Sequence, residues 1–274
     1  MVSRYDYNAR LVSAAHSVLL ELVHVLGEYK DDLIIVGGWV PALLFPSIPD
    51  GHIGSVDIDI ALDHRSVRED VYRTIKKLLE SRGYEEAEQP YVFYRKLVVD
   101  GEEIVVEVDF LAGEYSGTGK SHRTQPVQDI RARKARGCEL AFDLNKILTI
   151  DGSLPGGAHD SSTVRVASVV PFIVMKGMAL NDRLKEKDAY DVYYCLKNYP
   201  GGLDTLIEEF KPHVGNGLVQ EGLNKIAGKF ASINHFGPKA IADFDAITDN
   251  EERERVQRDA FERVDYFLKG LKII

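Results

Sequence analysis

Leu11, Ala15, Val18, Leu22 and Leu26 recur at helical spacing, which predicts an amphipathic helix over residues 8–28. Residues 32–36, dominated by Leu33-Ile34-Ile35-Val36, then read as a buried strand. Trp39-Val40-Pro41, with proline in the first turn, opens a short helix. Val56, Ile58 and Ile60 alternate with Asp57 and Asp59, which predicts a strand over 56–62. Ser66-Val67-Arg68-Glu69 has the form of a capping box, and Val67, Val71, Ile75, Leu78 and Leu79 extend it into a helix that stops at Gly83. Tyr91 to Val99 and Glu103 to Leu111 flank Asp100-Gly101, a two-residue hairpin signal. Glu114 to Gly137 shows little period, and Leu140-Ala141-Phe142-Asp143-Leu144 and Val164-Arg165-Val166 read as short strands around the glycine-rich loop 151–157.

From Pro171 the pattern is helical throughout, over residues 171–182, 186–198, 203–211, 217–230, 238–247 and 251–269. The last helix carries Val256, Ala260, Val264, Phe267 and Leu271 as its core stripe, with Gly270 as its stop. The element order predicts an α/β (α+β) domain, a mixed sheet with flanking helices, over residues 1–165. A helical domain over 166–274 follows.

Composition narrows the class. With 274 residues and 45% apolar content the chain can build one large or two modest cores. No run approaches the roughly 20 apolar residues that cross a bilayer, and Met1-Val2-Ser3-Arg4-Tyr5-Asp6 has no apolar leader, so the expectation is a cytoplasmic protein without a membrane partner. Cys138 and Cys195 have no metal-ligand spacing and read as reduced thiols. A net charge of -9 argues against indiscriminate nucleic-acid binding and leaves room for a local basic face.

The chemistry concentrates in two places. Gly37-Gly38 ends the first strand and opens a helix, a turn whose backbone N–H groups suit phosphate. Eighteen residues past Gly38 begins Val56-Asp57-Ile58-Asp59-Ile60, in which the two acids share one strand face. Adjacent carboxylates repel unless a cation lies between them, and the oxygen-preferring candidates are Mg²⁺ and Mn²⁺. On the strand after Asp100-Gly101, Glu107 and Asp109 again share a face.

Gly-Gly after a strand followed by Asp-x-Asp in the next resembles the DNA polymerase β-like nucleotidyltransferase superfamily. The resemblance implies metal binding by Asp57 and Asp59, a nucleoside triphosphate (NTP) over Gly37, Gly38 and Ser55, and a third carboxylate, for which Val108-Asp109-Phe110 has the apolar-acid-apolar form. Pro46-Ser47-Ile48-Pro49-Asp50-Gly51, a loop by composition, accounts for the longer than usual spacing.

The second place is the stretch from Met175 to Tyr194, where Lys176 and Arg183 lie seven residues apart on one helical face. By pattern alone this is equally a solvated charged helix with i,i+4 pairs. Lys176, Arg183, Lys187-Asp188 and Asp191 after a Gly-Gly and Asp-x-Asp domain look like the AbiEii/AbiGii toxin-type nucleotidyltransferases, however. That resemblance implies a phosphate-contacting catalytic Lys176, with Arg183, Lys187, Asp188 and Asp191 completing or bracing the site. It also implies a toxin acting on an RNA such as tRNA, in a toxin–antitoxin or phage-defence system, silenced by a separate antitoxin.

Lys120, Arg123, Arg131, Arg133, Lys134 and Arg136 form the one basic tract, read either as an RNA-backbone contact or as a solvated charge run. Gly117-Thr118-Gly119-Lys120-Ser121 resembles a P-loop tail, but Glu114 stands where its first glycine is required. The eight histidines show no ligand spacing, and Phe172, Tyr190, Tyr193 and Tyr194 read as helix-packing residues. The expected function is divalent-metal nucleotidyl transfer. Two alternatives stay open, a small-molecule adenylyltransferase of the antibiotic-resistance kind and a nucleotide-binding regulatory module without turnover.

Overall fold

The computed structural model describes residues 2–49, 51–63, 66–67, 74–114 and 124–274. The chain divides into two compact units, one comprising Asn8–Leu43 and Gly54–Ser168, the other Met1–Tyr7, Leu44–Ile53 and Val169–Ile274. The change of unit at Ser168 lies close to residue 165, where the sequence pattern changes. Two short segments nevertheless join the helical unit, and their aromatic residues are the reason: Tyr7 packs on Phe244 with ring centroids 5.8 Å apart, and Phe45 meets Tyr199 edge-on at 6.0 Å.

The first unit begins with α1 (Ala9–Val25), capped by the Asn8 side chain, which accepts from the Leu11 N–H. It continues through β1 (Leu33–Val36), a 3₁₀ turn at Gly37–Trp39, and α2 (Val40–Leu44). Then come β2 (Asp57–Leu62), α3 (Ile75–Glu80), β3 (Tyr84–Glu86), β4 (Val92–Val99) and β5 (Glu102–Ala112). β6 (Thr124–Val127), β7 (Ile130–Lys134), α4 (Glu139–Asp143), β8 (Asn145–Ser153) and β9 (His159–Ala167) complete it. The main sheet runs β3-β4-β5-β2-β1-β9-β8, and β7 joins β5 beyond the stretch that pairs with β4. It is mixed: β1–β2, β4–β5 and β8–β9 are antiparallel, whereas β2–β5 and β1–β9 are parallel. Ile34, Val36, Ile58, Ile60, Val108 and Phe110 are buried, as are Ala15, Val18, Leu19 and Leu22 on α1. Removing this apolar area from water is the main stabilising term. Asp100 and Gly101 both have positive φ, which matches the right-handed twist of the strands they join.

Three expectations need correction or qualification. Residues 140–144 form α4 and not a strand, because Leu140, Ala141 and Phe142 are buried in succession and a short apolar run does not distinguish a buried helical turn from a strand. The aperiodic stretch 114–137 contains the hairpin β6–β7, whose buried Val127, Ile130 and Ala132 sit in strands of four and five residues, too short to show a period. The helix expected from Ser66 to Gly83 starts at Ile75, with Thr74 as its N-cap in extended backbone, and Ser66 and Val67 are not helical; Arg68, Glu69 and Val71, and Gly117 to Ser121 and Arg123, lie outside the described residues.

The second unit packs α5 (Val169–Arg183), α6 (Glu186–Asn198), α7 (Gly202–Phe210), α8 (Gly217–Lys229), α9 (Phe236–Phe244) and α10 (Asn250–Gly270). All six follow the sequence periodicity closely. α5 and α8 cross at Gly177 and Gly222, where a Cβ on Gly177 would lie 2.3 Å from the Gly222 carbonyl oxygen. The opposing atom is backbone, so it cannot rotate away. Gly177→Ala is expected to lower stability by about 1–3 kcal/mol through overpacking, read as a lower thermal midpoint. An unchanged midpoint would show that the two helices separate without cost. Among the described residues no helix is long and apolar enough to cross a membrane.

Candidate active site

Gly37 closes the β1 end of the site. It has φ +66°, a left-handed conformation that favours glycine, and a Cβ there would lie 1.9 Å from Asp59 Oδ2. Any side chain at this position would take the place of the Asp59 carboxylate. The register explains the proximity: Val36, just before Gly37, pairs with Asp59 across the antiparallel β1–β2 ladder. Two residues on, Trp39 donates from Nε1 to the Asp57 carbonyl at 3.0 Å, tying the glycine turn to the start of β2.

On the other side of β2 the parallel pairing with β5 sets Asp59 beside Asp109 and Asp57 beside Glu107. Strand alternation sends all four acids to one face, while Ile58, Ile60, Val108 and Phe110 are buried on the other. Partners of opposite character hold two of the carboxylates. The Ser55 hydroxyl donates to Asp57 Oδ1, and Arg133 Nη2, from β7, donates to Asp109 Oδ2 at 3.3 Å. Arg133 also lies over the Tyr91 ring, 5.7 Å from its centroid.

This face fits a hard divalent cation in its donor chemistry, since carboxylate oxygens on adjacent strands are the ligands Mg²⁺ takes. Among the described residues no three His, Cys, Asp or Glu form a group that could hold a metal ion. Asp57 meets Ser55 and Asp109 meets Arg133, and the shared face comes from the backbone register.

The helical unit holds a second charged cluster. Lys176 Nζ, on α5, lies 2.7 Å from Asp188 Oδ1 and 2.7 Å from Asp191 Oδ2, both on α6. Lys187 Nζ lies 2.9 Å from Asp191 Oδ1, and Arg183 approaches Asp188 through Nε at 2.8 Å and Nη2 at 2.9 Å. His52 Nε2 contacts Asp191 Oδ1 at 2.9 Å. Lys176, Lys187, Asp188 and Asp191 are buried, whereas the Arg183 side chain remains 48% exposed. Burial alone would lower the lysine pKa, but Asp188 and Asp191 outweigh it and hold Lys176 above its ordinary range. Burial likewise opposes ionisation of the two acids. Lys176 and Arg183 nonetheless keep Asp188 below the usual carboxylate range, and Lys176 and Lys187 keep Asp191 well below it. The cluster is therefore ionised, with three cations against two carboxylates.

The chain matches, over residues 52–271, the family described as "Nucleotidyl transferase AbiEii toxin, Type IV TA system". It belongs to this family. It is thus a nucleotidyltransferase of the type IV toxin–antitoxin class, and the acids of β2 and β5 and the Lys176–Asp191 network lie within the matched span, whereas Gly37 and Gly38 precede it. None of the curated proteins matches the chain.

For this AbiEii-type enzyme the structure brings Gly37, Asp59 and Asp109 into contact or register, with Ser55 on Asp57. It brings Lys176, Arg183, Lys187, Asp188 and Asp191 into one network that is mostly buried, not a solvated helix face. Gly38 is buried in the turn. The basic tract is divided. Arg133 reaches Asp109, Arg136 pairs with Glu114 at 2.9 Å, and Arg131 donates to the Thr124 hydroxyl at 3.3 Å. Lys134 ends β7 in register with Ala112. Tyr190, Tyr193, Tyr194 and Phe172 are buried. Cys138 and Cys195 are free and buried, and burial pushes both thiols up, away from the reactive thiolate. Sequence reading missed His52, Trp39 and the Arg133–Asp109 pair. None had a local signal, because each partner is distant in sequence.

Proposed function

We propose that the chain transfers a nucleoside monophosphate from an NTP to an acceptor hydroxyl, releasing pyrophosphate, on the face shared by β2 and β5. The observation that carries this reading is the register of Asp59 with Asp109, beside a glycine whose missing side chain leaves room for the Asp59 carboxylate. Asp57, Asp59 and Asp109 would hold divalent metal, Mg²⁺ by donor type, which when bound neutralises triphosphate charge and acidifies the hydroxyl. The chain's own groups do the rest. Gly37, Gly38 and Ser55 seat the phosphates, and Asp109 takes the hydroxyl proton as the oxygen attacks the α-phosphorus and the bond to pyrophosphate breaks. Lys176, held charged by Asp188 and Asp191, and Arg183 are the proposed phosphate-contacting cations, as the family resemblance implies. Lys187 braces Asp191.

The proposed acceptor is an RNA, tRNA being one of that class. Support comes from Arg131 and Arg133, alternate residues of β7, the second of which touches Asp109. An antitoxin protein is the proposed silencing partner, as the type IV class implies. Incubation with each radiolabelled NTP, Mg²⁺ and total RNA, followed by gel separation, should label an RNA band with one nucleotide. Pyrophosphate release without RNA labelling would move the acceptor to a small molecule. Absence of any pyrophosphate release from every NTP would reject transfer. Replacing Arg131, Arg133, Lys134 and Arg136 by glutamine should weaken RNA binding and flatten its salt dependence, by at most about 0.7–0.9 of log–log slope per lost contact. An unchanged slope would remove the tract from the RNA interface.

A further inference from the structure

His52 sits at the end of the Leu44–Ile53 segment, the part of the long Gly38-to-Val56 spacing that packs in the helical unit. Its side chain is fully buried (0% exposed), with ring centroids 5.5 Å from Tyr190 and 4.8 Å from Tyr194. Its Nε2 lies 2.9 Å from Asp191 Oδ1 on α6. The His52 contact falls on one oxygen of Asp191 alone. Oδ1 meets His52 and Lys187 at 2.9 Å each, and Oδ2 meets Lys176 at 2.7 Å, with Lys187 reaching it more distantly at 3.2 Å.

We infer that His52 is a positioning residue for Lys176: by donating Nε2–H to Asp191 Oδ1 it fixes the carboxylate so that Oδ2 stays directed at the lysine. The inference rests on the proposed role of Lys176 in the transfer. Charge supports the donor assignment. Desolvation by burial, reinforced by Lys187 and Lys176 against the pull of Asp191, lowers the His52 pKa from 6.5 to about 4. The ring is therefore neutral at pH 7, and since a carboxylate only accepts, the proton must be on Nε2. A third full positive charge next to Lys176 and Lys187 would compete with the lysine for the same carboxylate. A neutral donor orients Asp191 without that competition. Asn or Asp could not span the same distance from the 44–53 segment, because Nε2 is the far atom of the imidazole.

The test compares His52→Phe, which keeps a buried ring and removes the donor, with His52→Gln, whose amide nitrogen lies at a similar reach. Labelled-NTP transfer kinetics, thermal unfolding and ¹⁵N-histidine NMR are read on each full-length protein. His52→Phe is expected to lower kcat about tenfold to a hundredfold, as a misplaced charged group does, with little change in KM for the NTP. His52→Gln should recover kcat to within a few-fold. In the wild type the histidine resonance absent from the His52→Gln spectrum should report the Nε2–H tautomer and remain neutral from pH 5 to 8, a readout that stands even if His52→Phe does not fold. An Nδ1–H tautomer, titration near pH 6.5, or a folded His52→Phe with wild-type kcat would overturn the inference. Lys176→Met separates the two levels. If it keeps wild-type kcat, the role of Lys176 itself falls; if it is inactive while folded His52→Phe is unimpaired, only the positioning by His52 falls.

Discussion

Asp59→Asn is expected to abolish nucleotidyl transfer while leaving the protein folded. Asp59 pairs in register with Asp109, and its Oδ2 fills the space opposite Gly37. Asparagine keeps the shape and removes the charge, so the proposed metal-binding face loses one anion. A loss of about 4 kcal/mol of transition-state stabilisation corresponds to roughly a thousandfold in rate. In metal-free buffer the midpoint of thermal unfolding should stay or rise slightly, since one member of a repelling set has been neutralised. Transfer at the wild-type rate would remove Asp59 from the site. A markedly lower midpoint without metal would make it a structural acid.

Asp191→Asn should destabilise the fold by about 3–5 kcal/mol, because it leaves Lys176 and Lys187 buried with one carboxylate fewer. The same cluster makes a prediction about pH. Asp191 and Asp188 have depressed pKa values in the folded state, so their contribution is present above the unfolded carboxylate range and is lost as pH falls below about 4. His52 acts in a higher window. Its folded pKa of about 4 lies below the ordinary 6.5, so between these values the unfolded chain binds a proton that the native state does not. Stability must therefore fall as pH drops from 6.5 to 4, by about 3 kcal/mol from this group alone. Urea unfolding at a series of pH values should show both stages in the wild type. His52→Gln should shrink the upper one, leaving the part that His16, also lowered by burial, contributes. Wild-type stability that is flat between pH 7 and 4 would contradict a buried neutral His52.

How far the sequence could be read depended on the range of the interaction. The helices α7 to α10 were legible because each buries one stripe, and a stripe repeats within a single segment, whereas α5 and α6 are buried around most of their circumference. β1 was legible as a continuous apolar run before Gly37, β2 from its alternating acids, and the β4–β5 hairpin from Asp100-Gly101. Local pattern failed at α4, β6 and β7. α4 has five residues with three consecutive buried apolar positions, and β6 and β7 together span nine residues with arginines between the core positions.

Within the sites, residue type was legible and partnership was not. Asp57 and Asp59 share a face by strand geometry alone, so a repelling acid pair was visible from spacing. Lys176, Arg183, Lys187, Asp188 and Asp191 were visible as a charge pattern consistent equally with solvent exposure. Only tertiary structure decided that these charges are buried against one another, because burial depends on the helices packed around α5 and α6. Likewise, only the register between β2 and β5 decided that Asp109, fifty residues from Asp59, stands beside it and leaves Glu107 beside Asp57. The sequence by itself determined the longer helices, β1, β2 and the β4–β5 hairpin, and the acids and cations available for chemistry, through interactions reaching a few residues. The fold decided which of them meet, since a ladder register and a buried ion network are contacts between distant segments with no trace in local spacing.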